Sequence, residues 1–134
     1  MILVVSSRFD KTGSVVQALE ASCFAVLDKK SVPYLHVTVP GAVEIPVTIQ
    51  HFLRTNKKFG AAIALGCIIK GETSHYEWVM NACERGLTRV SLDESIPVVQ
   101  GVLACLDDAT AIARQHHGAD YAQTAIEMMD VLAG

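Results

Sequence analysis

The sequence predicts an α/β fold with a parallel sheet of four strands and helices on both faces. Four short, β-branched apolar runs alternate with segments whose apolar residues recur at spacings of three and four. No linker, repeat or low-complexity segment interrupts this alternation, which requires right-handed crossovers between parallel strands. We therefore expect a single domain over residues 1–134, with a three-layer α/β/α arrangement of the flavodoxin-like type.

The apolar runs and the helical spacings place the individual elements. The predicted strands are residues 2–6, 34–39, 61–69 and 97–103. The first three helices carry the spacings within residues 15–27, 45–53 and 79–90. A short helix from about Asp107 and a last helix through 122–132 follow, with Gly118 separating them.

Start signals for four helices agree with these placements. Ser14 with Gln17, and Ser74 with Glu77, have the spacing of capping boxes. Pro46 suits the first turn of the second helix, and the side chain of Asp107 can cap the start of the fourth helix. Four strands are few for such a sheet, so we expect its edges to be covered by a helix or by a neighbouring chain.

The composition excludes several classes of partner. The net charge is −3 and no basic run is present, so we do not expect the chain to bind nucleic acid. The first apolar run is too short for a signal peptide, and no segment approaches the length of a membrane span. Apolar residues make up 51% of the chain, which indicates surface buried between identical subunits.

The cysteines indicate the redox state of the protein, and a pair of histidines raises the question of a metal site. Four widely spaced cysteines fall within apolar patterns and are expected to be reduced core residues of a cytoplasmic protein: Cys23, Cys67, Cys83 and Cys105. His116 and His117 could belong to a metal site or to a solvated helix end, and the absence of further ligands at suitable spacing favours the helix end. No metal is expected.

Polar loops follow three of the predicted strands. Residues 8–10 follow the first strand, 40–44 the second and 70–75 the third. The carboxyl ends of parallel strands meet at one rim of the sheet, where ligands bind in this class of fold. We therefore expect a ligand site formed by these three loops.

Several side chains in and near these loops have two interpretations. Phe9 could stack on a planar heterocycle or fold back onto the core, and the pattern alone slightly favours the core. Glu44 could complement a helix dipole or bind a polyol or ring nitrogen. Arg114 could be a solvated charge or a bidentate phosphate clamp.

The run 71–75 has the residues of an anion site at a helix start. Gly71 allows close backbone approach, and Thr73 and Ser74 supply hydroxyls. At the positive end of the helix dipole, His75 is expected to be neutral and able to accept a proton. The alternative is that residues 74–77 form only a capping box.

The sequence lacks the motifs of several reaction classes. It contains no G-x-G-x-x-G or Walker loop, no G-x-S-x-G elbow and no metal cluster. The motifs required for nucleotide redox chemistry, nucleoside triphosphate hydrolysis and serine hydrolysis are therefore missing. The functions that the sequence still allows are ligand binding, proton transfer and stabilisation of charge.

Six segments in order resemble the motifs of the 6,7-dimethyl-8-ribityllumazine synthase family of riboflavin biosynthesis. They span nearly the whole chain and are residues 8–10, 39–46, 65–75, 96–103, 111–114 and 125–128. The resemblance implies a transferase that condenses 5-amino-6-ribitylamino-pyrimidinedione with 3,4-dihydroxy-2-butanone 4-phosphate, releasing phosphate and two waters. It implies no cofactor and no metal.

The resemblance also implies roles for the matching residues. Phe9 would stack on the pyrimidine, and His75 would relay protons. The other pyrimidine and ribityl contacts would be Ala42, Val43, Glu44, the backbone of Cys67, Ile68 and Ile69, and Gln100 reaching into a neighbour's site. Phosphate would be held by Gly71, Glu72, Thr73 and Arg114.

The chain departs from the family pattern at four places. Asp10 stands where Asn is common, Gln100 where Phe is frequent, and His117 where Lys is typical. Residues 114–118 form a shorter segment than usual, and the chain starts directly at its first strand. Because the shorter segment and the early start remove contacts that a shell could use, we expect a ring of identical subunits, a pentamer rather than a sixty-subunit shell. Riboflavin synthase is a further expected partner.

Two alternatives remain on the same fold. One is a flavin- or lumazine-binding protein without turnover. The other is a related condensing enzyme such as the archaeal type of riboflavin synthase, to which the intact run 71–75 is less similar.

Overall fold

The computed structural model describes all residues from Met1 to Gly134 and contains one four-stranded parallel sheet. Its strands, in the order β2-β1-β3-β4, are β1 (Ile2–Ser7), β2 (Tyr34–Val39), β3 (Ala61–Ile69) and β4 (Val98–Cys105). The helices are α1 (Val15–Lys29), α2 (Ile45–Thr55), α3 (His75–Glu94), α4 (Asp108–Ala113) and α5 (Gly118–Ala133). A 3-10 turn over Ala42–Glu44 precedes α2. The predicted α/β/α fold is confirmed.

The sheet separates two hydrophobic clusters. Ile2 and Val4 pack with α1 and α5 on one face, whereas Leu3 and Val5 pack with α2 and α3 on the other. Every residue of β1 is buried. This two-sided burial explains why the central strands read as continuous apolar runs rather than as alternating ones.

The strand register brings three loops to one rim of the sheet. Ser7 of β1 lies opposite Val39 of β2, and Ser6 lies opposite Leu65 of β3. Because all strands run in the same direction, the segments that follow β1, β2 and β3 leave the sheet side by side, as predicted.

Two predicted boundaries were wrong. The fourth strand begins at Val98 and continues to Cys105. Pro97 stays outside because it has no N–H to donate, although its carbonyl accepts the N–H of Ala62 at 2.9 Å. Gly118 does not separate α4 from α5 but begins α5, where it is buried and any side chain would overlap the carbonyl of Leu19. This glycine allows α5 to approach the backbone of α1.

The helix starts agree with prediction only in part. Pro46 lies in the first turn of α2, and the Asp107 carboxylate accepts the N–H of Thr110 at 2.8 Å. Both proposed capping boxes were wrong, because the side chains of Ser14 and Ser74 form no capping hydrogen bond. The start of α1 is instead held by Asp10 from the preceding loop.

Asp10 uses both carboxylate oxygens as acceptors. Oδ1 accepts the N–H of Thr12 at 2.9 Å as well as its hydroxyl, and Oδ2 accepts the N–H of Val16 at 2.8 Å. An amide in this place would turn its NH2 group toward a donor. The structure therefore gives a physical reason for an acid at position 10.

We predict that Asp10→Asn lowers the free energy of unfolding by about 1 kcal/mol, because one capping acceptor is lost. Denaturant unfolding at one fixed protein concentration measures the change. Ser14→Ala is the matched control and should stay within about 0.5 kcal/mol of the original, since that side chain caps nothing. Equal stabilities for the two variants would contradict this account.

All four cysteines are buried and unpaired, as predicted. Burial raises the pKa of the Cys23 and Cys67 thiols to about 12, with smaller contributions from the carboxylates of Glu20 and Asp10, respectively. Burial raises the pKa of Cys83 to about 11. These three groups are therefore protonated at neutral pH and poor nucleophiles.

We predict that iodoacetamide at about pH 8 leaves the native protein unmodified, because all four thiols are buried and those of Cys23, Cys67 and Cys83 are also protonated. The same reagent in concentrated guanidinium should add four labels, as the unfolded chain exposes every thiol. Intact-mass measurement counts the labels. Rapid labelling of Cys67 in the native protein would show that its surroundings are more open than described.

No helix in the structure combines the length and apolar character needed to cross a membrane.

Candidate active site

A cavity of about 330 Å3 opens at the rim where β1 and β3 end, between the 3-10 turn and the start of α3. The structure brings seven of the predicted site residues to its wall: Phe9, Ala42, Val43, Glu44, Cys67, Ile68 and His75. Four further residues also line it: Ser7, Gly41, Trp78 and Val79.

Phe9 stands on the rim of the cavity. The N–H of Arg8 donates to the Val39 carbonyl at 2.7 Å, and the N–H of Phe9 donates to the Pro40 carbonyl at 3.1 Å. These bonds continue the β1–β2 ladder beyond the strands and hold the ring away from the core. Its exposure is 70%, so the expectation that it folds back onto the core was wrong.

Glu44 presents an uncommitted carboxylate to the cavity. Its N–H donates to the Gly41 carbonyl at 3.2 Å, and its carbonyl accepts the hydroxyl of Thr48 at 2.8 Å. The carboxylate is exposed and has no hydrogen-bond partner in the chain. It lies at the N-terminus of α2, so it can complement the helix dipole and still accept hydrogen bonds from a polyol.

His75 is the first residue of α3 and lies beside the only tryptophan. The imidazole and the Trp78 indole are nearly parallel, with an angle of 21° and 6.0 Å between ring centroids. Trp78 is 62% exposed and forms part of the cavity wall. The pair forms an aromatic wall of the cavity, near Phe9, and its imidazole can exchange protons with a bound molecule.

The loop before α3 contains free backbone donors. The N–H of Lys70 still pairs with the Cys105 carbonyl at 2.9 Å, but the N–H groups of residues 71–74 donate to no acceptor in the chain. The hydroxyl of Thr73 accepts the N–H of His75 at 3.3 Å. Gly71, Glu72 and Thr73 are exposed and lie outside the cavity wall. Free donors at the start of a long helix favour an anion there.

Cys67, Ile68 and Ile69 end β3 in different surroundings. Cys67 and Ile68 line the cavity and Ile69 does not, although Cys67 and Ile69 both pack in the hydrophobic cluster on the opposite face of the sheet. Because the Cys67 thiol is protonated at neutral pH, this residue can serve the cavity through its backbone but not as a nucleophile.

Gln100 and Arg114 do not reach this cavity. Gln100, on the edge strand β4, donates from Nε2 to the Thr88 hydroxyl at 2.9 Å and lines a separate cavity of about 140 Å3. Arg114 ends α4, and its Nη1 lies 4.0 Å from the Sγ atom of Cys105. One chain therefore assembles only part of the predicted site.

The sequence analysis did not identify Ser7, Gly41, Trp78 or Val79 as site residues. Trp78 could have been found, because a tryptophan one turn after His75 must share its side of α3. Ser7 had a weaker signal, a serine at the end of an otherwise apolar strand. Its hydroxyl is buried and has no hydrogen-bond partner.

The structure contains no group of three or more His, Cys, Asp or Glu side chains suited to a metal ion. His116 and His117 are exposed. His117 packs edge-on against Tyr121 at 6.4 Å between centroids, near the start of α5.

Comparison with known proteins identifies the family. The family model for 6,7-dimethyl-8-ribityllumazine synthase matches residues 1–133. A protein of that name from Azoarcus sp. (strain BH72) is 44% identical over 133 residues, covering 96% of this chain and 83% of the relative. Another from Ralstonia nicotianae is 42% identical over 134 residues, covering 97% of this chain and 80% of the relative. The chain belongs to the 6,7-dimethyl-8-ribityllumazine synthase family.

Proposed function

We propose that this chain condenses 5-amino-6-ribitylamino-pyrimidinedione with 3,4-dihydroxy-2-butanone 4-phosphate to form 6,7-dimethyl-8-ribityllumazine, phosphate and two waters. The observation that carries this proposal is the cavity shared by Phe9, Glu44 and His75 in a chain of this family. Mixing purified protein with both substrates and following lumazine absorbance tests it. Riboflavin retention without turnover would instead indicate a binding protein.

The pyrimidine substrate fits the geometry of the cavity. The exposed Phe9 ring can stack on the heterocycle, while the backbone of Cys67, Ile68 and Ile69 at the end of β3 can bind its polar edge. The ribityl chain then extends toward Ala42, Val43 and Glu44, where the free carboxylate accepts hydrogen bonds from its hydroxyls.

The phosphate of the second substrate belongs at the loop before α3. The free N–H groups of Gly71, Glu72 and Thr73 can donate to its oxygens, and the positive end of the α3 dipole stabilises its charge. The Arg114 guanidinium of a neighbouring subunit would complete the site with a bidentate contact.

His75 lies between these two subsites and is the proposed proton carrier. The pyrimidine amine adds to the ketone, and the adduct loses water to form a Schiff base. Removal of the proton from the neighbouring carbon then expels phosphate and leaves an enol, which becomes a ketone, and attack of the ribitylamino nitrogen on that ketone closes the ring and releases the second water. His75 can take the proton from the attacking amine and return one to a leaving oxygen. Orientation of two reactive molecules should supply much of the acceleration, without a cofactor or metal.

A shared site requires a homo-oligomer, and a pentameric ring is the proposed form, with a sixty-subunit shell as the larger alternative. Gln100 and Arg114 do not line the chain's own cavity, so a neighbour could use them. Leu106, which precedes α4, and Ile112, within α4, have exposed apolar side chains, and contact with another subunit would cover them.

The setting of the enzyme follows from its chemistry. Four buried, unpaired cysteines suit a reducing compartment, and we place the protein in the cytoplasm on that basis. Riboflavin synthase consumes the lumazine product and is the proposed protein partner. The net charge of −3 gives no support for a nucleic-acid partner.

We predict that Arg114→Ala damages turnover more than His75→Ala does. Loss of a charge-assisted phosphate contact should lower kcat/KM about a hundredfold, whereas loss of a proton relay to a reactive ketone should cost about tenfold. Steady-state kinetics with both substrates varied measure the two effects. Lys57→Ala removes an exposed cation beyond α2 and should leave the rate unchanged. The opposite ranking of the two site variants would remove Arg114 from the phosphate site.

We also predict that two impaired variants complement each other. Phe9→Ala and Arg114→Ala chains should each be poor enzymes, yet regain part of the activity when unfolded together and reassembled. Mixed rings would contain some interfaces that pair an intact Phe9 with an intact Arg114. Separately reassembled variants are the control. A monomer in sedimentation, or a mixture no better than its parents, would refute the shared site.

A further inference from the structure

Ser7 has the only buried polar side-chain atom in the chain without a hydrogen-bond partner. The residue is 3% exposed, and its Oγ atom meets no donor or acceptor. A hydroxyl removed from water without a replacement bond destabilises a fold, and such groups are rare in native structures. This atom therefore requires an explanation that the fold alone does not supply.

Ser7 lies in the wall of the active-site cavity. Ser7 is the last residue of β1, and it lines the cavity with Phe9 and Glu44. On the neighbouring strand β3, a Cβ atom at Gly66 would lie 2.9 Å from the Ser7 Oγ atom. The absence of a side chain at Gly66 leaves the space beside the hydroxyl free.

The adjacent serine provides a contrast within the same strand. Ser6 is completely buried, but its Oγ atom lies 2.9 Å from Nε2 of His36 on β2 and is satisfied by that bond. The two serines point to opposite faces of the sheet, as successive strand residues must. Only the hydroxyl on the cavity side lacks a partner.

We propose that Ser7 is a substrate-binding residue whose hydroxyl forms a hydrogen bond with the pyrimidine substrate. This inference rests on the proposed function. A hydroxyl can donate to a ring carbonyl or polyol oxygen and can accept from a ring N–H, so it suits either part of that molecule. It does not serve the phosphate-bearing substrate, because the 71–73 loop lies outside the wall that Ser7 helps to form.

The proposal predicts opposite effects of Ser7→Ala on stability and on binding. Without ligand, the variant should be at least as stable as the original, because a buried orphan hydroxyl has been removed. Its affinity for the pyrimidine substrate should fall about tenfold, with an increased KM for that substrate alone and little change in kcat. A residue with a purely structural role would not separate these readouts.

The experiment uses the lumazine product as an equilibrium probe. Trp78, the only tryptophan, lines the same cavity, so its fluorescence should report binding of 6,7-dimethyl-8-ribityllumazine. Thermal unfolding of the ligand-free protein is measured in parallel. Ser6→Ala is the matched control and should lower the unfolding temperature, because it breaks the bond to His36, without a selective loss of affinity.

A second probe, 6,7,8-trimethyllumazine, has a methyl group in place of the ribityl chain. Weaker binding of both probes by Ser7→Ala would place the bond on the ring, and weaker binding of the ribityl probe alone would place it on the chain. Unchanged affinity for both probes, or destabilisation equal to that of Ser6→Ala, would overturn the proposal. If the original protein binds the probe but makes no lumazine, the proposed function fails while the role of Ser7 is still measured.

Discussion

The parallel hydrogen-bond ladder between β1 and β3 joins the central strands, and the position of every cavity residue depends on it. Pairing from Ile2 opposite Ala61 to Ser6 opposite Leu65 fixes where the two strands end relative to each other. Because both strands are buried on both faces, a slip in register would move apolar side chains into the wrong cluster. Packing of the apolar side chains thus fixes the ends of β1 and β3 at the cavity. The loops that carry Phe9 and His75 start from these fixed ends.

The proposed reaction site has one part that a single chain assembles and another part that it does not. The residues proposed to bind the heterocycle and the polyol line one cavity of the chain, together with His75. The guanidinium and the amide of Gln100 lie on other surfaces of the same subunit. Under the proposed function, this division would make assembly a condition for catalysis, because the Arg114 guanidinium would reach a phosphate only when chains associate.

Much of the fold was predictable because it depends on burial that a local pattern records. Buried strands such as β3 need uninterrupted apolar runs, and amphipathic helices need spacings of three and four. Helix capping was less predictable, since Asp10 reaches Val16 through a turn that the capping-box spacing does not describe. The direction of Phe9 depended on bonds between loops after β1 and β2. The role proposed for Ser7 rests on the missing hydrogen-bond partner of its hydroxyl, and the spacing of residues in a sequence does not reveal a missing partner.

The close contact between Gly118 and α1 has a consequence for how the segment with Arg114 responds to an anion. Asp107 caps α4 on one side of this segment, and the backbone of α5 is packed against Leu19 on the other. Contacts within the chain therefore hold the main chain on both sides of this segment. In the proposed phosphate site, binding of the anion would therefore restrict mainly the rotamers of the Arg114 side chain, so the conformational entropy lost in binding would be small.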